Sequence, residues 1–126
     1  MPSLSRQSLG KAGEALACRE LERRGYAILE RRYRIRRGEF DVIARDGETL
    51  VFVEVKARAT SGYGSAAEAV TTHKRRQLCG LAEAYLARRG WGDRPCRFDV
   101  VTVVMGRGGQ ARVDVLVNAF GLEGWS

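Results

Sequence analysis

Apolar residues recur at helical spacing over residues 8–24, where Leu9, Ala12, Leu16, Ala17 and Leu21 make a modest stripe that ends at Gly25. The period then changes to two. Residues 26–34 read as a first strand, and Glu39 to Lys56 as two more, folded about Asp46-Gly47, a strong hairpin signal between β-rich runs. Small and turn-forming residues from Ala59 to Ser65 predict a surface loop, in which Tyr63 is either a stacking platform for a base or an ordinary connector residue. A second helix over 70–89 carries Leu78, Leu81, Ala82, Tyr85 and Leu86 on one side, with Thr71 or Thr72 as its cap. Gly90 to Pro95 breaks the chain before a β-branched run from Cys96 to Met105, and Gly106-Arg107-Gly108-Gly109 turns it into a last strand over 111–117. The order α-β-β-β-α-β-β predicts one α/β domain over 1–126, a sandwich with a central mixed sheet of about five strands flanked by helices.

The central hairpin holds the charged residues that need explaining. With Asp46 and Gly47 as turn residues, Arg45 pairs with Glu48, Ala44 with Thr49, Ile43 with Leu50 and Asp41 with Phe52. Strict alternation then sets Asp41, Phe52, Glu54 and Lys56 on one face, with Glu54 the diagonal neighbour of Asp41 at roughly 7–8 Å. Val42, Ala44, Val51, Val53 and Val55 make the other face apolar, while Ile43, Leu50 and Phe52 make the first one apolar too. Both faces therefore look covered, and carboxylates in such a strand call for a reason beyond solvation. Two neighbouring carboxylates repel unless a cation lies between them, and Mg2+ or Mn2+ held there would activate a water and offset charge on a phosphate, with Lys56 assisting. The plain alternative is the solvated face of an ordinary hairpin.

Asp41 followed by Glu54-x-Lys56 resembles the signature of the PD-(D/E)xK, or restriction-endonuclease-like, nuclease superfamily. Longer stretches resemble the bacterial YraN family: Gly38-Glu39-Phe40-Asp41-Val42-Ile43-Ala44-Arg45-Asp46-Gly47, Val51-Phe52-Val53-Glu54-Val55-Lys56-Ala57-Arg58, Arg97-Phe98-Asp99-Val100-Val101 and Asn118-Ala119-Phe120. That family is distantly similar to archaeal Holliday junction resolvases. The resemblance implies the restriction-endonuclease-like sandwich, Asp41 and Glu54 as metal ligands, Lys56 as the catalytic lysine, and branched DNA as substrate. It also implies a role for Glu14, which matches the acidic residue of the first helix in related resolvases; from its own surroundings Glu14 reads as an exposed helical glutamate. The superfamily's proline is absent, since Phe40 precedes Asp41. Glu39 is open between an acid supporting the metal ligands from outside and a charge on the rim.

Charge supports a polyanionic partner. The chain has 22 Lys plus Arg against 15 Asp plus Glu, a net charge of +7, and residues 90–126 sum to zero, so the surplus lies in residues 1–89. Arg31, Arg32, Arg34, Arg36 and Arg37 run directly into the strand of Asp41, and guanidinium forks suit phosphate. Lys74, Arg75 and Arg76 follow His73 at the start of the second helix, where positive charge opposes the helix dipole. Asp99 and Asp114, without a neighbouring Glu-x-Lys, read as structural or edge residues.

Several classes drop out. Cys18, Cys79 and Cys96 lack zinc-site spacing, and an odd number argues against a disulfide framework, which fits a reducing cytoplasm. There is no long apolar run for a membrane span and no apolar signal core. His73, the single histidine, lacks the partners of a Ser-His-Asp hydrolase. The expectation is a cytoplasmic Mg2+- or Mn2+-dependent endonuclease of branched or structured DNA, compatible with a homodimer because symmetric junctions suit two-fold enzymes. The competing readings are a non-catalytic nucleic-acid-binding module and a basic adaptor for an acidic protein.

Overall fold

The structure, a computed structural model, describes residues 6–59 and 71–120. Its elements are α1 (Arg6–Arg23), β1 (Ala27–Ile35), β2 (Gly38–Asp46), β3 (Thr49–Arg58), α2 (Thr72–Arg89), β4 (Cys96–Met105) and β5 (Ala111–Phe120). This is the order read from the sequence, with β5 running to Phe120 rather than stopping at Val117. Both helices end in the same device. Gly25 and Gly90 take φ of 96° and 68°. The N–H groups of Gly25 and Tyr26 reach back to the carbonyls of Glu22 and Leu21, and those of Gly90 and Trp91 reach Ala87 and Leu86, so otherwise unpaired carbonyls are satisfied. At the start of α2, Thr71 Oγ1 accepts the N–H of Lys74 at 3.2 Å, as an N-cap does.

The strands form one five-stranded sheet in the order β1-β2-β3-β4-β5. β3 and β4 are parallel and the remaining pairs antiparallel. Ala17, Cys18 and Leu21 of α1 pack with Val42, Val51, Val53 and Val101 on one face, while Leu78, Leu81 and Tyr85 of α2 pack with Ile43, Phe52 and Phe98 on the other. The central strands are thus covered on both sides, which explains their nearly unbroken apolar runs. No described helix is long and apolar enough to cross a membrane.

The β2–β3 register differs from the expected one. The closing pair is Asp46↔Thr49, followed by Arg45↔Leu50, Ala44↔Val51, Ile43↔Phe52 and Val42↔Val53. Phe52 therefore faces Ile43, not Asp41. The turn residues are Gly47 and Glu48, and among them only Gly47 has positive φ, at 61°, the pattern of a type II′ turn with glycine in its first central position. Asp46-Gly47 marks the hairpin correctly, but Asp46 closes the ladder instead of entering the loop.

Asp99 is the fold's buried structural acid. It accepts hydrogen bonds from the Tyr26 hydroxyl (3.1 Å), the Arg97 Nε (3.1 Å) and the Asn118 backbone N–H (2.8 Å). Asn118 lies at φ 57°, beside the register shift in the β4–β5 ladder. Asp114 is exposed and paired with Arg112 at 3.0 Å. The sequence reading of structural or edge residues corresponds to a buried Asp99 and an Asp114 on the edge strand β5.

Candidate metal and nucleic-acid site

A break in strand alternation builds the site. β1 and β2 pair Arg31↔Val42 and Tyr33↔Phe40, but Arg32 and Asp41 between them are not paired, and Arg32 takes φ 53°. Arg32 donates to Glu14 of α1 on one side of the sheet, whereas Tyr33 meets Tyr85 of α2 edge-on at 5.0 Å on the other. In β2, Phe40 and Ile43 both belong to the α2 core and Val42 to the α1 core. Asp41 lines a cleft with Leu9, Gly10 and Glu14 of α1 and Val55, Lys56 and Ala57 of β3. Regular alternation would drive Asp41 into the aromatic core under α2. A left-handed residue other than glycine costs about 1–3 kcal/mol and is typical of functional sites. Here it accompanies the turn of Arg32 and Asp41 toward Glu14.

The shared face expected for Asp41 and Glu54 is corrected accordingly. Glu54 follows Leu50 and Phe52 onto the α2 side, where Lys74 Nζ lies 3.9 Å from its Oε2. Asp41 opens toward α1. The two carboxyls nevertheless meet, because β2 diverges from β3 beyond Val42↔Val53 and the Asp41 side chain enters the gap, its Oδ2 accepting the Val55 N–H at 2.7 Å. The cleft that Asp41 and Lys56 line has a volume of about 450 Å3.

Glu54 is 8 % exposed, and its buried Oε2 has no hydrogen-bond partner. Burial, followed by the charge of Asp41 and a hydrogen bond with it, holds the Glu54 carboxyl well above the ordinary carboxylate range, against the lowering influence of Lys74 and Lys56. At 3.9 Å, Lys74 exerts charge but makes no hydrogen bond. An orphaned buried carboxylate oxygen beside a second carboxylate is the donor set a hard divalent cation takes, so the residues fit Mg2+ or Mn2+. Among the described residues, no group of three or more His, Cys, Asp or Glu side chains is gathered for a metal; the pair stands without a third acid.

Glu14 lines the same cleft, but its carboxylate is engaged by Arg32 Nε at 2.9 Å. Glu39 is held by Arg34 at 2.7 Å, apart from the cleft lining, as a rim charge would be. The arginine run does not act as one patch. Arg32 and Arg34 bind acids, Arg36 and Arg37 form the exposed β1–β2 turn, and Arg37 lies toward α2, its Nη1 3.5 Å from where a Cβ of Gly80 would stand. The structure sets Arg31 beside Cys18 of α1, whose thiol burial pushes up, with the charge and hydrogen bond of Arg31 acting in the opposite direction. Arg75 and Arg76 continue the first turn of α2 beyond Lys74, and His73 is exposed. Tyr63 lies outside the described residues.

Sequence reasoning placed Lys74 in a basic cluster but missed its approach to Glu54. The signal was available: β3 and β4 are joined through α2 and run parallel, so the helix must start near the end of β3 where Glu54 and Lys56 lie.

A mixed sheet between two helices, with Asp41 and Glu54-x-Lys56 at a gap in its central strands, defines a restriction-endonuclease-like protein of the PD-(D/E)xK-related superfamily. Residues 13–103 match the uncharacterised protein family UPF0102. The chain belongs to this UPF0102, or YraN-like, family. It is 51 % identical over 112 residues to a UPF0102 protein of Symbiobacterium thermophilum, covering 89 % of this chain and 95 % of that one. It is 48 % identical over 114 residues to a counterpart in Geobacter sulfurreducens, covering 90 % and 89 %. A UPF0102 protein of Magnetococcus marinus is 45 % identical over 126 residues, 99 % of this chain and 100 % of its own.

Proposed function

We propose that the protein is a metal-dependent endonuclease that hydrolyses phosphodiester bonds in branched or otherwise structured DNA. The observation that carries this reading is the orphaned, buried Glu54 oxygen beside Asp41, next to a cleft that Lys56 also lines. Asp41 and Glu54 would hold Mg2+ or Mn2+, which supplies Lewis-acid activation of water and of the phosphate. Val55 N–H fixes the Asp41 carboxylate. Lys74 and Lys56 favour the ionised form of Glu54 that a cation requires. Lys56, at the cleft, offsets charge that builds on the phosphate in the transition state. Arg36 and Arg37, exposed at the β1–β2 turn, attract the polyanion in a salt-dependent way. The preference for branched DNA rests on the family's distant similarity to junction resolvases, and a homodimer would match a two-fold junction.

The test is incubation of the full chain with labelled four-way junction, flap and linear duplex in Mg2+ or Mn2+, beside Asp41→Asn. Metal-dependent cutting that the variant lacks supports the reading, and no cutting of any substrate overturns it. A binding module without turnover is the second reading, favoured by the engagement of Glu14 with Arg32 and by the lack, among the described residues, of a third acid gathered at the pair.

A further inference from the structure

Three cations near the site stand against acids. Arg32 binds Glu14 at 2.9 Å, Arg34 binds Glu39 at 2.7 Å, and Lys74 stands 3.9 Å from Glu54. Asp41 is the exception, taking a backbone N–H instead. The Glu14 pair is the one at the cleft: Glu14 lines it with Asp41 and Lys56, and the hydrogen bond and charge of Glu14 raise the pKa of Arg32, with Glu39 and Asp41 adding to it. The Arg32 side chain is 48 % exposed and that of Glu14 21 %. An ion pair so open to water is weak and exchanges its partners readily.

From this arrangement we infer that Arg32 has two stations. In the free protein it occupies Glu14, and on nucleic acid it turns to a backbone phosphate, leaving Glu14 to join Asp41 and Glu54 around the metal. The inference builds on the metal site proposed above but not on turnover. Three features of the chain suit such an exchange. The left-handed backbone at Arg32 brings its side chain to the face of the sheet on which the cleft opens. A guanidinium loses little by moving from a carboxylate to a phosphate, since its fork suits both. Glu14 already lines the cleft together with Asp41, so its release from Arg32 leaves it beside one of the two proposed ligands. Nucleic acid and metal then favour one another reciprocally: phosphate draws away the cation that competes for the acid, and metal displaces it toward phosphate. Arg34 with Glu39 repeats the arrangement at the rim.

The experiment measures binding, not cleavage. Mn2+ is titrated into the full-length protein without nucleic acid, for the parent, Arg32→Asn, Glu14→Gln and the double variant. Asn is chosen because it tolerates the left-handed conformation better than most side chains, so the fold is kept while the charge is lost. Arg32→Asn should bind Mn2+ roughly fivefold more tightly than the parent. That gain should vanish when Glu14 is Gln. With a labelled four-way junction in Ca2+, Arg32→Asn should bind more weakly, and the slope of log affinity against log salt should be shallower by about 1. An unchanged Mn2+ affinity in Arg32→Asn, a gain that survives Glu14→Gln, or an unchanged salt slope would each overturn the exchange. Absence of cutting with the coupled gain intact would count against the nuclease and sustain the exchange. Absence of Mn2+ binding in every variant would overturn both.

Discussion

Asp41 Oδ2 accepts the backbone N–H of Val55 at 2.7 Å, supplying β3 with an acceptor where the β2–β3 ladder has already ended at Val42↔Val53. That bond needs an oxygen, not a charge. Asp41→Asn should therefore keep the strand gap closed while removing the charge that opposes ionisation of Glu54. In the absence of metal and at neutral pH it should be more stable than the parent by about 1 kcal/mol, an exchange of function for stability common at active sites. Asp41→Ala, which leaves the N–H without its partner, should be less stable than Asp41→Asn by about 1–2 kcal/mol. Mn2+ should raise the melting temperature of the parent and of neither variant. Thermal unfolding in a chelator and in Mn2+ checks both statements.

Glu54 predicts a particular pH dependence. Burial and Asp41 raise its carboxyl from 4.5 to about 8 in the folded protein, so between those values the native state holds a proton that the unfolded chain has released. The stability tied to this group is complete below pH about 4.5 and is lost as the pH rises through about 8. Glu20, lowered to about 2 by Arg23 and Arg24, gives a constant contribution across that window and loses it only as the pH falls below about 4.5. The metal-free protein should lose melting temperature across the window, and Glu54→Gln should flatten the decline. Mn2+ displaces the proton, so its stabilising effect should be larger at the alkaline end. Melting curves at a series of pH values, with and without Mn2+, test the sign.

The elements were legible because their signals are local. Gly25 and Gly90 stop their helices, Thr71 starts one, and β4 spans the Cys96–Met105 run expected of a strand buried on both faces. The hairpin was legible as a hairpin, but its register depends on whether Asp46 or Gly47 opens the turn, and that is decided by a single positive φ at Gly47. The pair Asp41 and Glu54 was legible as a pair, although the route by which they meet was not. A shared face follows from perfect alternation, whereas the chain breaks alternation at Arg32 and Asp41, and no composition rule marks an arginine for the left-handed region. The partners of the arginines were hidden for a similar reason: a run of like charges reads as one patch, while Arg31 and Arg32 turn to α1, Arg34 to Glu39 and Arg37 toward α2.

Asp99 should separate a structural acid from a functional one. Its side chain is 0 % exposed and receives Arg97, which also binds Asp46 at 2.9 Å. Asp99→Ala removes the acceptor for Tyr26, Arg97 and the Asn118 N–H at once and leaves a partly buried guanidinium short of its counter-charge. The expected loss is about 3–5 kcal/mol. Asp114→Ala, which breaks an exposed pair with Arg112, should change stability by less than about 1 kcal/mol. In the folded fraction, neither change should alter Mn2+ affinity, which titration calorimetry below the melting transition will show.

Gly13 fixes how closely α1 lies on the sheet, and through that where Glu14 stands. A Cβ at Gly13 would sit 2.6 Å from the Cβ of Ala57, with Val103 Cβ 3.9 Å away, so Gly13→Ala must lift the helix from β3. Glycine to alanine inside a helix otherwise stabilises by about 0.5–1 kcal/mol. Gly10 supplies the control within the same helix, since a Cβ there meets nothing within 4 Å. Gly10→Ala should therefore gain stability, and Gly13→Ala should lose about 1–3 kcal/mol. Because Glu14 is the next residue, the lifted helix also draws its carboxylate from the cleft, and any Mn2+ affinity that depends on Glu14 should fall with it. Ala57→Gly removes the opposing methyl group. In the Gly13→Ala background it should restore part of both stability and metal affinity, whereas alone it should only weaken the strand. Urea unfolding and Mn2+ titration of the four-member cycle provide the measurement, and additive effects of the two substitutions would show that this contact does not set the helix position.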